Sequence, residues 1–245
     1  MQVNGASAAA QPQVVEERQE NEGDQTNSVA ARVMGAICSP LNSLSKTLGS
    51  WCFSAIKLFP GNERFTYRAS LLLRQADHTL HPEDKPWWNE VIENLIIGAI
   101  PLLNWDHLTT LVEMLGVKAV LSMNELHELS TSGLCSIPVT QEQWEEKGVE
   151  FMQIESEDFL PPSLENIDRG VEFVHVHIQQ AHKTYVHCKA GRGRSAIIVI
   201  CYLMKYHRQN VGEALSFLTA KRPQIHMNDD QLACLHQYKA QYCVS

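Results

Sequence analysis

A chain of 245 residues can bury a sizeable core without disulfides or metals, so its length fits one catalytic domain with extensions. Its composition, 44% hydrophobic and 20% charged with 13 Gly and 10 Pro, excludes collagen-like, coiled-coil and wholly disordered chains. With 20 Lys+Arg against 28 Asp+Glu the net charge is -8, which argues against a nucleic-acid partner and requires any anionic ligand to be caught by local cations.

Over residues 1–30, Glu16, Glu17, Glu20, Glu22 and Asp24 face one base, Arg18, among many Gln, Asn and Ala. Apolar groups are too few there to fund a core, so the segment reads as a disordered acidic tail. It lacks the plan of a signal peptide and the Arg-rich composition of a mitochondrial presequence. Gln2 in place of Gly and the position of Cys243 remove the myristoylation and prenylation signals. The seven cysteines are widely spaced, with no CxxC pair, which suits a reducing compartment. These features favour a cytoplasmic or peripheral membrane location.

Residues 31–85 read as a helical extension and linker. Leu41, Leu44, Leu48, Trp51, Cys52, Ala55, Ile56 and Phe59 make an apolar stripe of spacing three and four, opposite Ser, Asn and two lysines. Over 39–59 such a helix suits a membrane interface or the domain's own core, and both remain open. Asn62 to Ala76 reads as a second helix and His78 to Lys85 as a polar linker.

From residue 86 to 245 apolar strands alternate with capped helices, the pattern of an α/β domain. Asn94 to Gly98 and Val117 to Met123 read as strands, with a helix from Asp106 to Leu115 closed by Gly116. Thr140 with Gln143 forms a capping box, and Val149 to Ile154 is a strand. Ser163 opens a long helix buried along Leu164, Ile167, Val171, Val174 and Ile178. Lys183 to His187 reads as a buried strand and Ser195 to His207 as a central helix. Asn210 with Glu213, and Asn228 with Gln231, cap two more helices. Cys201 and Cys234 read as core, and Trp87 and Trp88 as packing at the start of the domain. His175 and His177, two apart on a helix, point in different directions and make a poor metal pair.

Between the last strand and the central helix runs His187-Cys188-Lys189-Ala190-Gly191-Arg192-Gly193-Arg194-Ser195. A glycine-bearing loop aimed at a helix N-terminus can turn successive N–H groups inward around a tetrahedral oxyanion. The Gly-Lys-Ser/Thr ending of a nucleotide-binding loop is missing. A cysteine there can ionise at neutral pH and act as nucleophile. Arg194 can hold two phosphoryl oxygens at once, and Ser195 can donate to the sulfur. Lys189 and Arg192 add cations suited to a highly anionic substrate, although loop tuning would also explain them.

Cys-x5-Arg-Ser preceded by His, on strand, loop and helix, resembles the cysteine-dependent protein tyrosine and dual-specificity phosphatases. Trp87-Trp88, Leu95 to Pro101, Met123-Asn124-Glu125 and Pro162-Ser163-Leu164 extend the likeness to the mitochondrial-type phosphatidylglycerophosphate phosphatases, over about residues 87–238. The cationic loop is also similar to that of the phosphoinositide 3-phosphatases. The resemblance implies an α/β fold of the dual-specificity phosphatase type, a central mixed sheet flanked by helices. It further implies catalysis by Cys188, Arg194, Ser195 and an acid at Asp158, with Glu157 and Glu155 as alternatives. Lys189, Ala190, Gly191, Arg192 and Gly193 would bind substrate, with His187, Asn228 and Gln231 in support. No metal or cofactor is called for. The substrate would be a phospholipid headgroup or, in a second class, a phosphoprotein; a phosphate-binding module without turnover is the alternative outside enzymes.

Overall fold

The structure is a computed structural model that describes residues 63–132 and 136–243. The acidic tail over 1–30 and the apolar stripe over 39–59 lie outside the described residues. Everything described belongs to one compact unit, residues 53–245.

The first helix, α1 (Glu63–Leu80), runs four residues past the Ala76 expected from sequence. His78 and Thr79 are polar but do not break it: Thr79 Oγ1 donates to the Gln75 carbonyl at 2.8 Å, and the His78 ring meets Trp87 edge-on at 5.5 Å. Two strands follow, β1 (Trp88–Ile92) and β2 (Leu95–Ala99), paired antiparallel from Trp88↔Gly98 to Ile92↔Leu95. β1 is an element that the sequence reading did not contain. Beyond it lies a short helix, α2 (His107–Thr109), which continues as one π-helical stretch, Thr110–Met114.

Then come β3 (Val117–Ser122), α3 (Leu126–Ser130), α4 (Gln141–Glu146) and β4 (Glu150–Gln153). The last part is α5 (Leu164–Gln179), β5 (Lys183–Cys188), α6 (Arg194–Tyr206), α7 (Val211–Lys221) and α8 (Asp229–Tyr242). Capping boxes at Thr140/Gln143, Asn210/Glu213 and Asn228/Gln231 start three of these helices where the sequence placed them.

The sheet has the order β1-β2-β5-β3-β4, parallel except for the β1–β2 pair. Its two faces follow from strand periodicity. Leu95, Ile97, Ala119, Leu121 and Val186 face the core shared with Val171, Val174 and the whole apolar run of α6. Ile96, Val120 and Tyr185 face the opposite cluster around Leu111 and Trp144. Buried on all sides, α6 presents its N-terminus at the C-terminal end of β5, the usual ligand position in a parallel sheet. Tyr67 and Leu71 of α1 join Trp87, Ala99, Ile100 and Leu102 in a third cluster beside that end.

Candidate active site

Cys188 is the last residue of β5, and Arg194 the first of α6, so the chain must turn back sharply between them. Gly191 makes the turn possible. Its φ is +66°, and a Cβ there would lie 2.4 Å from the Gly98 backbone. Gly98 is equally obligatory, since a Cβ on it would meet the Tyr185 hydroxyl at 2.1 Å. Arg222, fully buried, braces the loop from below. Its Nε donates to the Gly191 carbonyl at 2.7 Å and Nη2 to that of Ala190 at 3.3 Å, while Nη1 reaches Asn89 Oδ1 at 2.6 Å. Arg222 carries no local signature in the sequence, because its partners lie thirty or more residues away.

The loop converges on sulfur. Gly191 N–H donates to Cys188 Sγ at 3.3 Å, and Ser195 Oγ lies 3.4 Å from it. Burial of Cys188 opposes ionisation, but the Arg194 charge, the Ser195 hydroxyl and the backbone N–H groups of Ser195 and Arg192 outweigh it and hold the thiol below its ordinary range. His187 is buried too, and burial pushes its imidazole down to about 3, so the ring is neutral. Its contribution is through the backbone: the His187 carbonyl accepts Met123 N–H at 2.8 Å, locking β5 to the turn after β3.

Arg194 is 2% exposed and its guanidinium is pinned on one side. Glu128 takes it in a two-pronged pair, Nη1 to Oε2 at 2.6 Å and Nη2 to Oε1 at 3.0 Å. Nη1 also donates to the carbonyls of Met123 (3.1 Å) and Ser156 (2.9 Å). Nη2 lies 3.1 Å from Asp158 Oδ1, and Nε, though buried, has no acceptor among the described residues. The Nε–Nη2 edge is therefore the one that can meet two oxygens of a phosphoryl group. Glu128 was missed from sequence; it sits three residues after Glu125, at the reciprocal position of a capping box, and that local role masks its ion pair.

Asp158 is brought to the same place, bonded to Lys189 and Arg194, whereas Glu155 and Glu157 face solvent. Burial raises its affinity for a proton, yet Arg194 and Lys189 prevail and hold the carboxyl below the usual range. Asn228 Nδ2 donates to the Phe159 carbonyl at 2.7 Å, tying the Asp158 loop to the start of α8. Gln231 packs on the loop so closely that a Cβ at Gly193 would stand 2.9 Å from its Nε2. Phe159 and Leu160 are exposed apolar side chains on the Asp158 loop, and Leu126, at the start of α3, is exposed as well. Arg192 turns outward instead, to Asp77 of α1 at 3.4 Å.

Comparison with known proteins decides the family. The model for the dual specificity phosphatase catalytic domain matches residues 106–241. The chain belongs to the dual-specificity phosphatases. It is a phosphoric monoester hydrolase by that membership, with a cysteine-phosphatase fold. The mouse phosphatidylglycerophosphatase and protein-tyrosine phosphatase 1 is 33% identical over 158 residues, 64% of this chain and 78% of the relative. The Arabidopsis thaliana phosphatidylglycerophosphate phosphatase PTPMT1 is 33% identical over 153 residues, 62% of this chain and 42% of that one. Among solved structures, PTPMT1 in complex with PI(5)P superposes with a TM-score of 0.59 at 29% identity, covering 64% of this chain and 96% of that one.

A consequence of the Asp158 environment can be measured on this phosphatase. Lys189 stabilises the carboxylate, so Lys189→Ala should let the Asp158 carboxyl regain its proton at higher pH. With an alkyl phosphate, the descending limb of the kcat/KM–pH profile should move to higher pH. The same change in an Asp158→Asn background should move nothing. An unmoved limb in the single variant would place the acid elsewhere, with Glu157 the next candidate.

Proposed function

We propose that the chain dephosphorylates a phospholipid headgroup, phosphatidylglycerophosphate or a phosphoinositide, through a phosphocysteine on Cys188. The observation that carries this reading is the crowd of cations at the mouth of the loop. Lys189 and Arg192 of the loop, and Arg74 and Lys85 just outside it, serve a chain whose net charge is -8. Such a local field favours a substrate with charge beyond the reacting phosphate. The exposed Phe159 and Leu160 beside Asp158 suit the apolar part of a lipid. The names of the mouse and plant relatives, and the lipid in the PTPMT1 complex, agree with that substrate class.

In the first step the Cys188 thiolate attacks phosphorus and the P–O bond to the headgroup breaks. Arg194 holds two phosphoryl oxygens along its Nε–Nη2 edge, and the backbone N–H groups of the 189–193 loop hold the others. The incoming dianion takes Arg194 and Lys189 from Asp158, which raises the carboxyl's proton affinity so that it takes up a proton from solvent. Asp158 then delivers that proton to the leaving alkoxide. In the second step Asp158 removes a proton from water, water oxygen bonds to phosphorus, and the S–P bond breaks. Ser195 donates to the departing sulfur. Asn228 and Gln231 hold the acid's loop and the phosphate loop in register. A membrane surface is where such substrates reside, and the apolar stripe over 39–59 is the segment of the chain suited to contact it.

Phosphate release tests the assignment. The panel is phosphatidylglycerophosphate and phosphoinositides in phosphatidylcholine vesicles, a phosphotyrosine peptide, and para-nitrophenyl phosphate. The expected result is a higher kcat/KM for one of the lipids than for the peptide. Preference for the peptide over every lipid would make the chain a protein phosphatase instead. Deletion of 39–59 should lower the rate on vesicles and spare that on the aryl phosphate.

A further inference from the structure

Asp77 lies in α1, outside the matched catalytic region, yet it holds two cations of the active-site mouth. Its Oδ1 accepts from Lys85 Nζ at 2.6 Å, and its Oδ2 lies 3.4 Å from Arg192 Nη2. The three side chains are partly open to solvent, at 26% for Asp77, 39% for Lys85 and 38% for Arg192, so a ligand can reach them. Arg192 belongs to the phosphate loop, and its backbone N–H faces Cys188 while its side chain turns to Asp77. Its Nε is buried without an acceptor among the described residues.

Two more arginines stand behind them. Arg74 lies over the Trp87 ring at 5.0 Å and donates to the Pro86 carbonyl at 2.9 Å, and Arg222 braces the loop from the interior. Both guanidinium groups are held below their ordinary range, by burial first and then by neighbouring cations: Arg192 for Arg74, and Arg74 for Arg222. The cluster is therefore overcharged, and one carboxylate partly relieves it.

We infer that Lys85 and Arg192 form a subsite for a second anionic group of the substrate, and that the Asp77 carboxylate occupies this subsite in the free enzyme and must be displaced. The inference rests on the phosphoryl site at Cys188 and names a further feature of the same pocket. Asp77 thereby weakens binding of a doubly anionic substrate, which must displace it, and lowers the preference for such a substrate over a singly anionic one. A substrate bearing only the reacting phosphate gains nothing by displacing the carboxylate, whereas one with a second anion replaces it at both cations.

A matched pair of non-hydrolysable ligands separates this subsite from the catalytic centre. Propylphosphonate and propane-1,3-diphosphonate are measured as competitive inhibitors of para-nitrophenyl phosphate hydrolysis by the full chain. Asp77→Asn should lower the Ki ratio of diphosphonate to monophosphonate by roughly two- to fivefold, the range of exposed charge pairs. Arg192→Gln should raise that ratio in the parent and cancel the gain in the double variant. The Arg192→Gln arm carries the test if Asp77→Asn disturbs α1. Equal shifts for both inhibitors would reduce Asp77 to a general charge effect and overturn the subsite, as would an unchanged ratio in the two variants. Failure of either phosphonate to compete would instead refute the phosphoryl site at Cys188, and the subsite with it.

Discussion

Cys188→Ser should lower turnover by more than about three orders of magnitude while the fold stays within about 1 kcal/mol of the parent. A hydroxyl in this position stays protonated where the thiol ionises, because the shift supplied by Arg194 and the loop N–H groups cannot bridge the gap between an alcohol and a thiol. The substitution is nearly isosteric at a site 3% exposed, so the loop keeps its shape. Steady-state phosphate release and a denaturant titration check the two halves. Retained turnover would remove Cys188 from the reaction. Lost turnover with lost stability would leave its chemical role unproven, and binding of inorganic phosphate to the variant would then separate the two.

Glu128→Ala should have the largest effect on stability. The pair with Arg194 is sealed from water, with side-chain exposures of 1% and 2%, and removing the carboxylate leaves a buried guanidinium with only the partly exposed Asp158 as counter-charge. Losses of about 3–5 kcal/mol are expected for such a break. Activity should fall as well, by about 10²-fold, since the Nε–Nη2 edge loses the anchor that aims it. Glu128→Gln keeps the shape and one acceptor and should fall between. Asn124 and Tyr67 hold Glu128: Asn124 Nδ2 donates to its Oε2 at 3.0 Å, and the Tyr67 hydroxyl donates to its backbone carbonyl at 3.0 Å. Unfolding midpoints of the two variants, measured beside kcat/KM, test the ranking. An alanine variant as stable and active as the parent would show that Met123 and Ser156 carbonyls suffice to hold Arg194.

The strand, loop and helix around Cys188 were legible because their chemistry is local. The glycines, the nucleophile and Arg194 fall within eight residues, and the apolar runs on either side announce a buried strand and a buried helix. Helix starts at Thr140, Ser163, Asn210 and Asn228 were legible for the same reason, a side chain closing on a backbone N–H three residues on. Partners joined across the fold were not. Glu128 and Arg222 read as ordinary charges until the sheet order brings β3 and β2 to either side of β5. β1 was hidden by its mixed run Trp88-Asn89-Glu90-Val91-Ile92, in which pairing with β2 supplies the order that its own pattern lacks. The π-helical stretch after α2 leaves no sequence mark, since it depends on a shift of backbone bonding to five-residue spacing, as in Leu115 N–H to the Thr110 carbonyl. Asp77 belonged to a segment read as an extension, and only the packing of α1 against Trp87 and Ile100 sets it beside Arg192.

The central claim is a covalent phosphocysteine, and trapping it tests the claim most directly. In Asp158→Ala, thiol phosphorylation by para-nitrophenyl phosphate needs no proton from the enzyme, whereas hydrolysis of the intermediate lacks its base. Acid-quenched samples taken during turnover and analysed by peptide mass spectrometry should carry one phosphoryl group on Cys188, and none in the Cys188→Ser, Asp158→Ala double variant. Turnover with no phosphoryl group on Cys188 at any time, or with the group on another side chain, would contradict the account.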